Sequence, residues 1–277
     1  MLLLLDIVTT AAILFIVSVG LLAIFGVLKI INFAHGAWLT IGGYCAVGVA
    51  RLGLNPWFAL PIAFVVGAAL GGLAEILVIR PLYRRPLDAI LATWGLSVVI
   101  GQLITLGFGR DVQMIPSLLS GTVRVLGADY SIYRLFALAA AIIIGVGFML
   151  AIERTRLGLS ARAVIMNETL ARSLGINTER VRFVTFMLGA GLAAVAGVLL
   201  TPLTSVDPNM GVAWLIGAFM LVMVANSSLP ALAAACLAFG AAQVSVSVFV
   251  SPILGGVAVA VLAAITLRIS PKGFSRA

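Results

Sequence analysis

Charge is what this chain has least of. Only 9% of its 277 residues are Asp, Glu, Lys or Arg, whereas soluble domains carry roughly a quarter. A soluble core of this length could not hide a hydrophobic fraction of 63%, so a membrane bundle is the class that accommodates it. There is a single histidine, His35, and a lone His cannot assemble a zinc site; no other metal-ligating cluster is present, and neither metal nor cofactor is expected. The two cysteines, Cys45 and Cys236, lie in apolar stretches without metal-type spacing and read as packing, not as halves of a disulfide. No Gly-rich loop ends in Lys-Ser or Lys-Thr, which excludes ATP binding by the usual P-loop. No Ser–His–Asp arrangement is suggested either, because His35 sits beside a turn, and enzyme chemistry has no credible catalytic pair. The start, Met1-Leu2-Leu3-Leu4-Leu5-Asp6, lacks a basic n-region and a cleavage site, so the first span is read as retained.

What the chain does have is apolar runs. Nine fall at about 7–28, 36–50, 57–79, 89–108, 135–152, 183–203, 212–225, 231–250 and 253–267. A helix needs about 20 residues to cross ~30 Å of hydrocarbon, and several runs qualify. The second and seventh are short: tilted pieces, re-entrant helices or halves of broken ones. The expected fold is all-α, a polytopic membrane helix bundle of eight to ten segments with interrupted helices.

The net charge of +8 resembles a nucleic-acid signal until the basic residues are located. They sit in loops, where anionic membrane lipid and the positive-inside bias explain them, and no nucleic-acid partner is expected. Arg80, Arg84 and Arg85 fill one short loop. A charged island at 153–182 fills another, and Arg268, Lys272 and Arg276 flank the C-terminus. Nine crossings with an external N-terminus place all three groups in the cytoplasm. The loop at 109–134 and the turn at Asp207-Pro208 then fall outside.

Within the island, the stretch from Asn167 to Gly175 reads as a short capped helix. Asn167 can accept a bond from the free N–H groups of the first turn, and Gly175 can adopt the left-handed closing conformation. Such a helix between two spans is a handle for a soluble partner. Two interruptions elsewhere correspond weakly: 29–36, with Asn32 and His35, and 225–230, with Asn226, Ser227 and Ser228. Paired interruptions often mark a substrate region, because unwound backbone in a membrane lines a cavity and not lipid; ordinary turns between helices are the alternative. Thr93 and Ser97 are four apart, on one helix face, and either border a solute path or bond to a neighbouring helix. Glu75 lies one turn inside the third span and needs a cation, for which a nearby loop arginine suffices. Gly67-Ala68-Ala69-Leu70-Gly71 permits close helix packing.

Taken together these stretches resemble the LivH-type permease of branched-chain amino-acid ABC importers, a family with urea and amide relatives. Four blocks carry the resemblance in order. The first is Ile31-Asn32-Phe33-Ala34-His35-Gly36. The second runs from Glu75 through Arg80-Pro81-Leu82 to Ala92-Thr93-Trp94-Gly95-Leu96-Ser97. The third is Ala171-Arg172-Ser173-Leu174-Gly175-Ile176-Asn177 with Ala190 through Ala196-Gly197, and the fourth is Asp207-Pro208.

The resemblance implies one transmembrane permease domain over 1–277, with a cytoplasmic coupling segment at about 153–182. It implies a bacterial cytoplasmic (inner) membrane protein partnered by a second, LivM-type permease subunit, two ABC ATPase subunits and a periplasmic or extracellular substrate-binding protein. The ATPases would grip Glu168, Leu170, Ala171, Arg172, Leu174 and Gly175, while Asn32, His35, Thr93, Ser97, Asn226, Ser227 and Ser228 are candidates for the translocation pathway. Two departures bear on substrate. Ala37 stands where the family usually has an acidic residue, and Ala225, Asn226, Ser227 and the alanine-rich stretch 231–235 replace most of a glycine-rich segment. Branched-chain or related amino acids are the leading substrates, with urea or short amides as the same-family alternative. An ATP-independent secondary transporter or channel would need a mid-membrane coupling site, and none is evident.

Overall fold

The computed structural model describes residues 2–125, 128–270 and 273–274. Lys272 and Arg276, two of the basic residues assigned to the cytoplasmic end, lie outside the described residues. In order, the helices are α1 (Leu2–Leu28), α2 (His35–Arg51), α3 (Ala59–Ala74), α4 (Pro86–Phe108), α5 (Ile132–Arg154), α6 (Arg156–Met166) and α7 (Glu168–Ser173). They continue with α8 (Thr178–Leu200), α9 (Met210–Ala225), α10 (Leu229–Phe249) and α11 (Pro252–Ile269). Helix is the form this composition dictates, because in lipid each backbone N–H and C=O must find its partner within the segment. Among the described residues, seven helical stretches are long and apolar enough to cross a membrane: Leu2–Leu28, Pro56–Leu82, Pro86–Phe108, Ile132–Arg154, Thr178–Leu200, Leu229–Phe249 and Pro252–Ile269. The chain is therefore a multi-pass helical membrane protein. Four further helices are shorter: α2 at 17 residues, α9 at 16, α6 at 11 and α7 at 6.

The centre of the bundle is α1 and α8, which bury most of their residues, while α4, α5 and α11 leave long apolar flanks uncovered. Small residues set how closely the central helices approach. A Cβ added at Gly42 would overlap the Ala194 carbonyl, and one at Gly197 would overlap that of Leu39, so α2 and α8 touch backbone to backbone. Gly67 and Gly71 lie against the methyl groups of Ala194 and Ala190, and this seals α3 onto α8 as the small-residue spacing predicts. With lipid tails as apolar as leucine, such close backbone packing is what holds membrane helices together.

Part of the loop at 109–134 is ordered as an antiparallel hairpin of β1 (Thr122–Val125) and β2 (Ala128–Ser131), with Arg124 opposite Asp129. The β-branched residues Thr122, Val123 and Val125 suit such a strand. The hairpin is pinned to the start of α1: the Tyr130 hydroxyl donates to Asp6 Oδ1 at 3.0 Å, and Arg134 Nη1 lies 2.5 Å from the same oxygen. Gln113 and Val206 exchange backbone bonds of 2.8 and 2.9 Å and tie this loop to the 201–209 connection.

Candidate functional site

The first interruption is a buried return of the chain, not a turn at the surface. Lys29 closes α1 with φ of 55°, and the backbone then runs without helix to His35. There, His35 Nε2 lies 2.9 Å from the Val17 carbonyl oxygen. Val17 precedes the end of α1 by eleven residues, so α2 begins about 16 Å back along α1 at ~1.5 Å per residue. Asn32 and His35 are both buried. Asn32 Oδ1 accepts the Ala34 N–H at 3.1 Å, and the Thr93 hydroxyl oxygen accepts the Phe33 N–H at 3.2 Å. Among the described residues, Asn32 Nδ2 and His35 Nδ1 are buried without a partner.

The element that meets the start of α2 is the start of α9. A Cβ at Gly211 would overlap the Gly36 carbonyl; the Gly211 N–H donates to the Thr40 hydroxyl at 3.2 Å, and that hydroxyl donates to the Gly36 carbonyl at 3.1 Å. The shortness of α2 and α9 follows, since their N-termini converge inside the bundle. The second interruption does touch the first, but at its edge: Lys29 Nζ donates to Ser227 Oγ at 3.1 Å. Asn226 and Ser227, with φ of 45° and 69°, make a tight left-handed turn, and the Ser228 hydroxyl caps α10 by accepting the Ala231 N–H. Asn32, His35 and Thr93 are thus brought together. Ser97 stands one turn further along α4, half-buried, while Asn226, Ser227 and Ser228 lie apart near the Lys29 end.

The island folds as α6, α7 and the start of α8. Asn167 Oδ1 accepts the Leu170 N–H at 3.0 Å, and Gly175 closes α7 with φ of 86°, the two caps expected from sequence. Asn177 caps α8 in turn by accepting the Arg180 N–H at 2.9 Å. Buried Ala171 seats α7 on the bundle, while Leu170 and Leu174, one turn apart, are 56% and 73% exposed. Arg172 Nη2 lies 3.5 Å from Glu168 Oε1 and donates to Thr178 Oγ1 at 3.0 Å.

Behind this helix lies a linkage that sequence reasoning found only in part. Glu168 Oε2 is 2.5 Å from Arg182 Nη2, and the Arg182 guanidinium stacks on the Tyr83 ring at 4.5 Å. The Tyr83 hydroxyl donates to Glu75, which Arg80 also grips through two bonds of 3.0 and 3.3 Å. Burial, reinforced by the bond to Glu75, holds the Tyr83 phenol above its ordinary pKa, so it stays a donor at physiological pH. Glu75 is itself fully buried and opens a π-helical turn, Glu75–Ile79, that ends α3. Such turns are rare and frequently lie at functional sites. The expected Glu75–Arg80 pair is present. Tyr83 and Arg182 were missed as partners because their meeting depends on how α3 and α8 cross, which no local spacing encodes.

The chain is thus a multi-pass membrane protein in which the N-termini of α2 and α9 converge inside the bundle and a short charged helix stands at one end. The family of branched-chain amino acid transport system permease components matches residues 3–272, and the chain belongs to it. That family comprises transport subunits, not enzymes. The high-affinity branched-chain amino acid transport system permease protein LivH of Escherichia coli strain K12 is 31% identical over 93% of this chain and 89% of its own length. A probable branched-chain amino acid transport permease protein LivH from Methanocaldococcus jannaschii is 29% identical over 71% of this chain, which spans 64% of that protein. The likeness extends to sugars: the ribose import permease protein RbsC of Haemophilus influenzae is 26% identical over 72% of this chain and 61% of its own. No solved structure matches the chain.

Proposed function

We propose that this chain is one membrane subunit of an ATP-driven importer for branched-chain or related amino acids, a single permease domain in a bacterial cytoplasmic membrane. It crosses nine times with its N-terminus outside, counting α2 and α9 as crossing segments that start within the bundle. Its partners are a second permease subunit, two ATPase subunits on the side of α7, and an external binding protein on the side of the β1–β2 hairpin. The observation that carries this reading is the pair of exposed leucines on α7 and at its C-cap. Leu170 and Leu174 project from a short, doubly capped helix amid the most charged stretch of the chain, where an apolar knob has no lipid to cover it. A groove on an ATPase supplies that cover. ATP then drives transport because the closed ATPase pair binds one arrangement of the bundle better than the other.

The polar groups Asn32, His35, Thr93, Ser97 and Asn226 to Ser228 border the route in this reading, where a zwitterionic solute exchanges water for weak hydrogen bonds. The reading is tested by replacing both Leu170 and Leu174 with Asp in the co-expressed transporter. The ATPase chains should be lost on purification while the second permease subunit stays. Full ATP-driven uptake by that variant, at normal abundance, would rule the docking site out.

A further inference from the structure

Between α5 and α8, at the end of the bundle that carries α6, lies an open cavity of about 350 Å³ that shares only Ser227 with the groups assigned to the transport route. Its walls are apolar, with Leu22 and Val27 from α1, Phe148 from α5, Ile165 from α6 and Leu188 from α8. The volume falls within the ~300–1,000 Å³ usual for small-molecule sites. Below the rim the one polar side chain on these walls is Thr185 of α8, too little to hold a strongly polar solute. A cavity so lined stays dry and takes an apolar guest.

The rim differs from the walls. Arg162 and Ser227 stand on it, and Lys29 Nζ reaches Ser227 Oγ at 3.1 Å. Arg154 and Arg156 follow in the short stretch between the lining residues Ile152 and Leu157. Among the described residues, none of Lys29, Arg154, Arg156 and Arg162 forms an ion pair, in contrast to Arg172 and Arg182 a few residues on. The depth of the rim is marked by α6. Gly158 lies directly on the carbonyls of Ala151 and Ile152, which folds this amphipathic helix sharply against the end of α5, while Leu159 is exposed on its other side. An amphipathic helix so placed lies at the headgroup level of a bilayer.

We propose that this cavity holds one acyl chain of an anionic glycerophospholipid, with its phosphate between Lys29 and Arg162. Unpaired basic groups above an apolar slot between helices are what selects an anionic headgroup over a zwitterionic one. The lipid would brace α5 and α6 against the core, on the same end as α7. The proposal goes beyond the transport reading and does not depend on it.

A clean plug for the cavity exists. Gly147 lines it, and a Cβ there meets nothing within 4 Å, so a side chain can start from this wall, and Gly147→Phe is the plug to test. The transporter complex is reconstituted in nanodiscs of phosphatidylglycerol and phosphatidylcholine mixed equally, extracted with mild detergent, and weighed by native mass spectrometry. The wild-type complex should retain one phosphatidylglycerol per copy of this chain. Gly147→Phe should retain none, and the double variant Lys29→Gln with Arg162→Gln should lose the preference for phosphatidylglycerol, by about fivefold for each charge removed. Equal retention of the two lipids by the wild type, no retained lipid, or an unchanged lipid load in Gly147→Phe would each overturn the proposal. Should the plugged chain fail to assemble, the double variant decides alone, since both its changes lie at the rim; an unaltered preference there refutes the site.

Discussion

Removing the Arg182 guanidinium should loosen α7 from the bundle by an amount that can be set from its surroundings. Arg182 is 14% exposed and its partner Glu168 33% exposed, so the pair is neither free in water nor sealed. Exposed pairs contribute ~0–1 kcal/mol, whereas stripping one partner from a buried pair costs ~3–5 kcal/mol. An intermediate pair gives about 2 kcal/mol, and loss of the stack on Tyr83 adds about 0.5–1 kcal/mol. The sum corresponds to roughly 50- to 150-fold in the equilibrium between docked and undocked α7. Hydrogen exchange reads this directly: in Arg182→Met the amides of 168–175 should exchange faster by about that factor, while those in the middle of α1 should not change. Arg182→Lys, which keeps the charge but loses the planar fork, should fall between. Stimulated ATP hydrolysis should drop in Arg182→Met at unaltered complex yield, since the handle is present but no longer rigidly tied to α3. Unchanged exchange at 168–175 in Arg182→Met would show that the linkage carries no energy, and the argument from its geometry would fail.

Gly175→Val should weaken ATPase association or stimulated hydrolysis, because a β-branched residue is strained at φ of 86° by about 1–2 kcal/mol even where space is free; normal coupling at normal expression counts against the cap. Single cysteines placed at Asp129 and Asn209 should react with an impermeant reagent in intact cells, and those at Arg84 and Arg172 should not, in a background without Cys45 and Cys236. Labelling at 172 from outside reverses the topology. Thr93→Val removes the acceptor for the half-buried Phe33 N–H and should cost about 1 kcal/mol of stability, read as a lower melting temperature of the purified complex. Asn32→Leu and Ser97→Ala should lower uptake more than complex yield; a proportional fall in both would make these side chains fasteners and not pathway groups.

Three left-handed residues explain why the interruptions sit where they do. Among the described residues, Lys29, Asn226 and Ser227 are the non-glycine positions with positive φ, and all three stand at the contact joining the two interruptions. Each such conformation costs roughly 1–3 kcal/mol and persists only where the surroundings impose it. The Lys29–Ser227 hydrogen bond and the packing of Gly26 on Ser227 are those surroundings. The cost therefore falls at the ends of α1 and α9, while the contact between the starts of α2 and α9 is made of glycines and a threonine. Rigid packing is concentrated at one junction, and conformational strain at the other.

Why some of this was legible in the sequence and some was not follows from the range of the forces involved. The caps at Asn167 and Gly175, the Glu75–Arg80 pair and the Gly67–Gly71 seam depend on residues a few positions apart, and each is present as expected. Family membership was readable too, because the four ordered blocks are local patterns. Depth was not readable. Nothing in 29–36 says that the chain climbs back along α1, since that is fixed by Val17, eleven residues before the helix end, and by Thr93 on another helix. The same non-local origin hid the Arg182–Tyr83 stack and the meeting of Gly36 with Gly211. It also explains why the runs at 36–50 and 212–225 resisted assignment as whole spans or fragments. Hydropathy measures how long a helix is, whereas these two are short because each starts against the other inside the bundle, a fact carried by two glycines that no apolar count can weigh.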